Sequence, residues 1–173
     1  MKKVLVVVDF QNDFVDGPFG FPGAESLEPV ITSLVKSYER AGQDVIFTKT
    51  VHPKNYLETK EGKEVGVAFC IAGSGGEEFY GGIKRLASRH VIFEKNTFAS
   101  ARLEQYLFSH PHDEVEFCGL DLANCVLANA EALRKSCPSA KIRILCKASG
   151  CADPAMKESA LEKAKAAQIE IVE

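Results

Sequence analysis

The 173-residue sequence has no tryptophan, only two methionines, and no excess of either charge: 21 lysines and arginines face 24 aspartates and glutamates, a formal net charge of -3. That near balance lacks the electrostatic footprint that nucleic acid or an anionic membrane surface requires, so neither is expected as a partner. Long apolar runs are missing too. In MKKVLVVVDF the run Val4–Val8 stops at Asp9 after five residues, whereas a secretory leader needs about 7–15 apolar residues and a membrane span about 20. The six cysteines, at 70, 118, 125, 137, 146 and 151, include no CxxC pair and no zinc-type spacing. They are expected as separate thiols in a reducing, cytoplasmic setting rather than as a disulfide framework.

What the sequence does have is a regular alternation of patterns. Residues 3–8 (KVLVVV) form an apolar run with no polar alternation, the mark of a strand buried on both faces. Comparable runs recur at 44–49 (DVIFTK), 90–94 (HVIFE), 114–118 (EVEFC), 141–146 (KIRILC) and 169–172 (IEIV). Between them, 26–41 reads as a helix: Ser26 as cap, Pro29 in the first turn, an apolar stripe of Val30, Ile31, Leu34, Val35 and Tyr38, and Gly42 as terminator. Weaker helical patterns cover 77–88, 100–108, 123–136 and 154–167. Strands alternating with helices imply right-handed βαβ crossovers. The expected fold is therefore α/β: one domain over 1–173, with a mainly parallel six-stranded sheet and helices on both faces. Two irregular stretches, 10–25 and 50–76, are long enough to suggest binding loops.

Ligands of open α/β sheets bind beyond the carboxyl ends of the strands. Three reactive side chains fall there: Asp9, Lys95 in FEKNTF, and Cys125 in GLDLANCVLANA. Asp9 either caps the following loop or needs a partner for a carboxylate set against apolar surroundings. Lys95 is either a solvated strand end or that partner, each holding the other charged. Cys125 is either core filler or a nucleophile at a helix N-terminus, where amides and a nearby cation lower a thiol pKa. Cys146 and Cys151 compete with it, although neither precedes a helix as closely. Phe14, Phe19 and Phe21, in the loop after Asp9, either wall a pocket or close a small satellite core. His52 reads as pocket-lining, and His110 and His112 as a solvated turn.

The segments VLVVVDFQNDF, HVIFEKNTF and FCGLDLANCVLANAEAL, taken in this order, resemble the isochorismatase-like cysteine hydrolases, a family that includes nicotinamidases and carbamoyl-group amidases. The resemblance spans nearly the whole chain and implies a three-layer α/β/α fold. It implies a catalytic triad of Asp9, Lys95 and Cys125 and a cis peptide at Leu120–Asp121. The backbone amides of Asp121 and Cys125 then form an oxyanion hole, with Phe14 and His52 in the substrate pocket. The implied reaction is hydrolysis of a C–N bond in a small amide or carbamoyl compound through a thioester, with no cofactor. A homo-oligomer is also implied.

Two departures from the family pattern matter. Leu122-Ala123 stands where members commonly carry Thr-Asp, which leaves room for a catalytically silent binding protein. Metal-dependent nicotinamidases resemble the chain around TKTVHPKNY, but here Thr50 replaces their aspartate, Phe69 a later histidine, and Gly66 the aromatic that stacks on the substrate ring. His52 with the distant Glu61 makes a poor transition-metal site, so no metal is expected. A nicotinamidase with a degraded metal site is the alternative. True isochorismatase chemistry, cleavage of a vinyl ether, is disfavoured by the presence of Cys125.

Overall fold

Each of the six apolar runs becomes a strand. In the computed structural model, which describes residues 1–173, these are β1 (Lys3–Val8), β2 (Asp44–Thr50), β3 (Val91–Lys95), β4 (Glu114–Gly119), β5 (Lys141–Ser149) and β6 (Glu170–Val172). They form one sheet in the order β3-β2-β1-β4-β5-β6, and every neighbouring pair is parallel. The helices are α1 (Asn12–Val15), α2 (Leu27–Arg40), α3 (Lys60–Val65), α4 (Ile83–Ala87), α5 (Ala101–Ser109), α6 (Leu127–Ser136) and α7 (Pro154–Ala166). None of them is long and apolar enough to cross a membrane.

The period of two along β1 explains why its sequence does not alternate. Val4, Val6 and Val8 pack on one face with Leu103 and Leu107 of α5, Leu133 of α6 and Ala160 of α7. Leu5 and Val7 pack on the other with Ile31 and Val35 of α2 and Ile83 of α4. Because helices cover both faces, every side chain of the central strand is buried, and the three-layer arrangement follows.

Several local expectations are corrected. Ser26 holds the N-cap position of α2 but its side chain makes no capping bond: it ends a short 3-10 turn, Ala24–Ser26, and its hydroxyl donates back to the Gly23 carbonyl at 2.6 Å. The helix expected over 77–88 shrinks to α4. Residues 75–78 form a turn, in which Glu78 N donates to the Gly75 carbonyl at 3.2 Å, Phe79 bridges Gln11, and the Glu28 carboxylate takes the Gly82 N–H at 2.7 Å. The loop 50–76 contains its own helix, α3, capped by Thr59, whose hydroxyl accepts from Gly62 N at 3.0 Å. The helix expected over 123–136 begins with a wide π-type turn, Leu122–Val126, before α6.

Gly119, at the end of β4, has φ +113°, and a Cβ there would lie 2.1 Å from the Val8 carbonyl oxygen. Only glycine lets β4 turn so close to β1.

Charges gather at the amino-terminal end of the sheet. Glu114 of β4 is buried and pairs with Lys3, with Lys141 at 3.0 Å and with Arg143 at 3.3 Å. Arg143 also reaches Glu116 at 2.7 Å, and Glu116 accepts from the Tyr38 hydroxyl. Burial alone would raise the Glu114 carboxyl, but the hydrogen bonds from Lys3 and Lys141 and the charge of Arg143 hold it down at about 2.

Two predictions follow from these contacts. A carboxylate whose folded pKa is depressed contributes stability above its unfolded pKa and loses it as pH falls through the folded value. The stability of the wild type against urea should therefore fall steeply from about pH 4.3 down to about 2. Glu114→Gln should flatten that slope and lose about 1.5–3 kcal/mol at pH 7, the net worth of hydrogen bonds to a charged group; an unchanged slope would contradict the assignment. Gly119→Ala should destabilise by more than the about 0.4–1 kcal/mol that the same change contributes in favour of folding at a position with a compatible backbone, read as a lowered Tm.

Candidate active site

The site is assembled where β1, β2, β3 and β4 end, on both sides of the point at which the strand order reverses. Asp9 follows β1 with φ +45°, a left-handed conformation uncommon for a residue with a side chain. Its N–H donates to the Thr48 carbonyl at 3.2 Å, and its fully buried carboxylate collects three donors. The Thr48 hydroxyl donates to Oδ1 at 2.6 Å, the Thr50 hydroxyl to Oδ2 at 2.9 Å, and Lys95 Nζ to Oδ2 at 2.5 Å.

Strand geometry accounts for this convergence. Thr48 and Thr50, two apart on β2, share a face, and β2 lies between β1 and β3 with Thr50 in register with Lys95. Lys95 Nζ also donates to Thr50 Oγ1 at 2.9 Å, to the Thr97 carbonyl at 3.0 Å and to Cys125 Sγ at 3.5 Å. Burial pulls the Lys95 pKa down, but Asp9 and Cys125 outweigh it and leave the ammonium held above its usual value.

Cys125 arrives from the other half of the sheet. The peptide Leu120–Asp121 is cis, and the Asp121 carboxylate caps the wide turn by accepting from Ala123 N at 2.7 Å. Val126 N reaches back to the Asp121 carbonyl at 3.1 Å, the bond that opens the π-type turn. Leu122 is fully buried and its N–H donates to the Gly150 carbonyl at 2.7 Å. The turn is thus supported by Asp121 and Gly150 without the Thr-Asp pair common in the family. Behind it, Asn129, four residues past Cys125, donates to the Cys125 carbonyl at 2.7 Å and accepts from Ser100 N at 2.9 Å, fixing α6 to the loop that follows Lys95.

The expected lowering of the Cys125 pKa is overturned. Burial pushes the thiol well up, the Asp9 charge pushes it further, and Lys95 only partly offsets them. The physical reason is position: Cys125 is 7 % exposed and its sulfur faces a carboxylate that already commands the lysine. The resting group is a thiol beside a base.

A cavity of about 510 Å³ opens over Cys125. Thr50, Asp121 and Asn124 line it near the sulfur, and Phe14, Phe19 and Phe69 form an aromatic wall. Asp9 and Lys95 lie beneath this floor rather than in the cavity. His52 lines the cavity, with its ring 4.2 Å from that of Tyr56 and 4.7 Å from that of Phe69, and burial lowers its pKa. Phe21 and Cys151 also line it, but the Cys151 thiol donates to the Asp153 carbonyl at 3.3 Å, not to the Asp9–Lys95 pair. Cys146 belongs to the hydrophobic core. The other three histidines lie elsewhere: His112 pairs with Asp44 at 2.7 Å and is buried rather than solvated, His110 stacks on Tyr106, and His90 pairs with Glu39 at 3.0 Å.

Nowhere do three His, Cys, Asp or Glu side chains gather as a metal site would need. Around His52 the neighbours are rings: Phe69 meets both His52 and Tyr56 in T-shaped contact, and Thr50 is committed to Asp9 and Lys95. These residues do not fit a metal ion.

Sequence reasoning missed four residues that position the site. Thr48 and Thr50 left a readable signal, two hydroxyls at strand spacing ending an apolar run. Gln11 left a fainter one. Its fully buried side chain accepts from Thr50 N and donates to the carbonyls of Thr50 and Glu77, each at 2.7 Å, clamping β2 to the loop. Asn129 left none beyond its i+4 spacing from Cys125.

Comparison with known proteins places this geometry. Residues 3–172 match the isochorismatase domain. An uncharacterized isochorismatase family protein, PncA of Bacillus subtilis, is 29% identical over 143 residues, covering 75% of this chain and 77% of that one. The nicotinamidase of Saccharomyces cerevisiae is 23% identical over 171 residues, covering 74% and 79%. Among solved structures, nicotinamidase/pyrazinamidase PncA from Bacillus subtilis superposes with a TM-score of 0.87 at 26% identity, covering 100% of both chains. The pyrazinamidase of Pyrococcus horikoshii, solved in complex with zinc, gives 0.86 at 25% identity over 100% of this chain and 99% of that one. With the family match running over almost the whole sheet and all the residues that converge at its carboxyl edge, the chain belongs to the isochorismatase domain family.

Proposed function

We propose that this isochorismatase-family hydrolase cleaves the C–N bond of a small amide through a thioester on Cys125, with Asp9 as proton carrier. The observation that carries this reading is the continuous contact from Asp9 Oδ2 to Lys95 Nζ at 2.5 Å and on to Cys125 Sγ at 3.5 Å, at the floor of the cavity. The relatives known as nicotinamidases and pyrazinamidases support an amide as the substrate class.

In the first half-reaction Asp9 accepts the Cys125 proton as the sulfur attacks the carbonyl carbon. Because burial and Asp9 both hold the thiol up, deprotonation is coupled to attack rather than completed beforehand. The new S–C bond places negative charge on the carbonyl oxygen, where the amides of Asp121 and Cys125 receive it. The Asp121 N–H donates to no acceptor within the protein, which leaves it available. Collapse breaks the C–N bond, and Asp9 gives its proton to the departing amine.

Water then attacks the thioester as Asp9 takes one of its protons. The C–S bond breaks, the acid leaves, and the proton returns to sulfur. Lys95 stays charged throughout and balances Asp9 and the transient thiolate. No step uses a metal.

Ammonia release from a panel of small aromatic amides tests this. Cys125→Ala should abolish turnover, and an alanine variant as active as the wild type would end the proposal. Asp9→Asn should lower kcat by about 10²–10⁴-fold, the range for losing a positioned acid–base group. Thr50→Val should lower kcat with little change in KM, since Thr50 orients Asp9 and Lys95; a pure KM effect would instead make it a substrate contact.

A further inference from the structure

The cavity is one-sided in charge. Its walls carry three carboxylates, Glu61, Asp121 and Asp153, and neither lysine nor arginine. Lys95 lies below the floor, its ammonium taken up by Asp9, Thr50 and Thr97, and His52 is kept neutral by burial. Lys60 and Lys63 share α3 with Glu61 but do not line the cavity.

The aromatic wall adds to this bias. Phe14, Phe19 and Phe69 meet at interplanar angles of 39°, 62° and 79°, with centroids 4.7 to 6.5 Å apart. Ring faces carry the negative end of the aromatic quadrupole, and non-parallel rings offer it in several directions. Glu61 lines the same cavity, forms no ion pair, and lies beside the Tyr56 phenol, whose pKa is raised by burial and by the Glu61 charge. The cavity lining therefore joins an aromatic cluster to a carboxylate that no cation neutralises. The volume of about 510 Å³ leaves space for substituents on an aromatic ring.

We propose that the substrate is an aromatic amide bearing a fixed positive charge, such as a quaternary ammonium, on the side of the ring away from the carbonyl. Glu61 and the Phe14, Phe19 and Phe69 rings are its charge-selective wall, and a carboxylate in the same place is rejected. This inference rests on the amide reading of Cys125, and binding can be scored apart from turnover.

The experiment is calorimetry with Cys125→Ala, which cannot form a thioester. Three amides serve as probes: (3-carbamoylphenyl)trimethylammonium, its neutral isostere 3-tert-butylbenzamide, and 3-carbamoylbenzoate. The cation should bind about tenfold more tightly than the neutral amide, the scale of a cation–π contact aided by one carboxylate, and the benzoate most weakly. Adding Glu61→Gln should cut the cation's advantage to about threefold or less. Equal or tighter binding of the neutral amide, benzoate binding equal to the neutral amide, or no binding by any probe would overturn the proposal. An undiminished advantage in the Glu61→Gln background would overturn the role given to Glu61. Ammonia release by the wild type judges the amidase reading separately: cation preference without turnover sinks that reading alone, and turnover without cation preference sinks this one alone.

Discussion

The structure at the carboxyl edge of the sheet depends on one buried ion pair. Asp9 and Lys95 are withdrawn from water and lie 2.5 Å apart. Taking either charge out of water alone costs several kcal/mol, so each requires the other and enough hydrogen bonds to occupy the remaining valences. Thr48, Thr50 and the Thr97 carbonyl supply them. The pair therefore dictates that β2, the strand between its two members, ends in hydroxyls rather than in apolar side chains. It also dictates what Cys125 meets on arriving from β4: a carboxylate already charged against a lysine, and so a base rather than a cationic patch.

That arrangement reverses the usual logic of a reactive cysteine. A helix N-terminus beside a cation would favour a standing thiolate. Here the helix opens with a wide turn, the sulfur is buried, and the nearest cation is shared with a carboxylate, so the neutral thiol is the resting form. In the proposed chemistry a resting thiol has an advantage: the charge develops only when a substrate carbonyl is present to receive it, and the same carboxylate holds the proton for the leaving amine.

The loops after β1 and β2 show how one fold takes a different pocket. Gln11 and Asp13 tie these loops together, Gln11 through both carbonyls it bridges and Asp13 by accepting from Cys70 N at 2.6 Å. With the frame held by these polar contacts, the side chains facing the cavity are free to differ. Thr50 serves the ion pair instead of a metal, and Phe69 closes on His52 and Tyr56 as an aromatic edge.

The sequence by itself determined the sheet, its parallel direction, and the order in which Asp9, Lys95 and Cys125 meet its carboxyl edge. Those features follow from local periodicity and from the chirality of βαβ crossovers, which a single chain displays openly. Boundaries were legible wherever one side chain decided them. They were lost where a distant partner did, as with Phe79, drawn into a bridge by Gln11. Only the tertiary structure decided the protonation state of Cys125, because burial and the Asp9 field are properties of neighbours far away in the chain. It alone revealed Thr48, Thr50, Gln11 and Asn129 as the residues that aim the site. Their hydrogen-bond partners lie up to 66 residues away, and nothing in local sequence reports a bond across that distance.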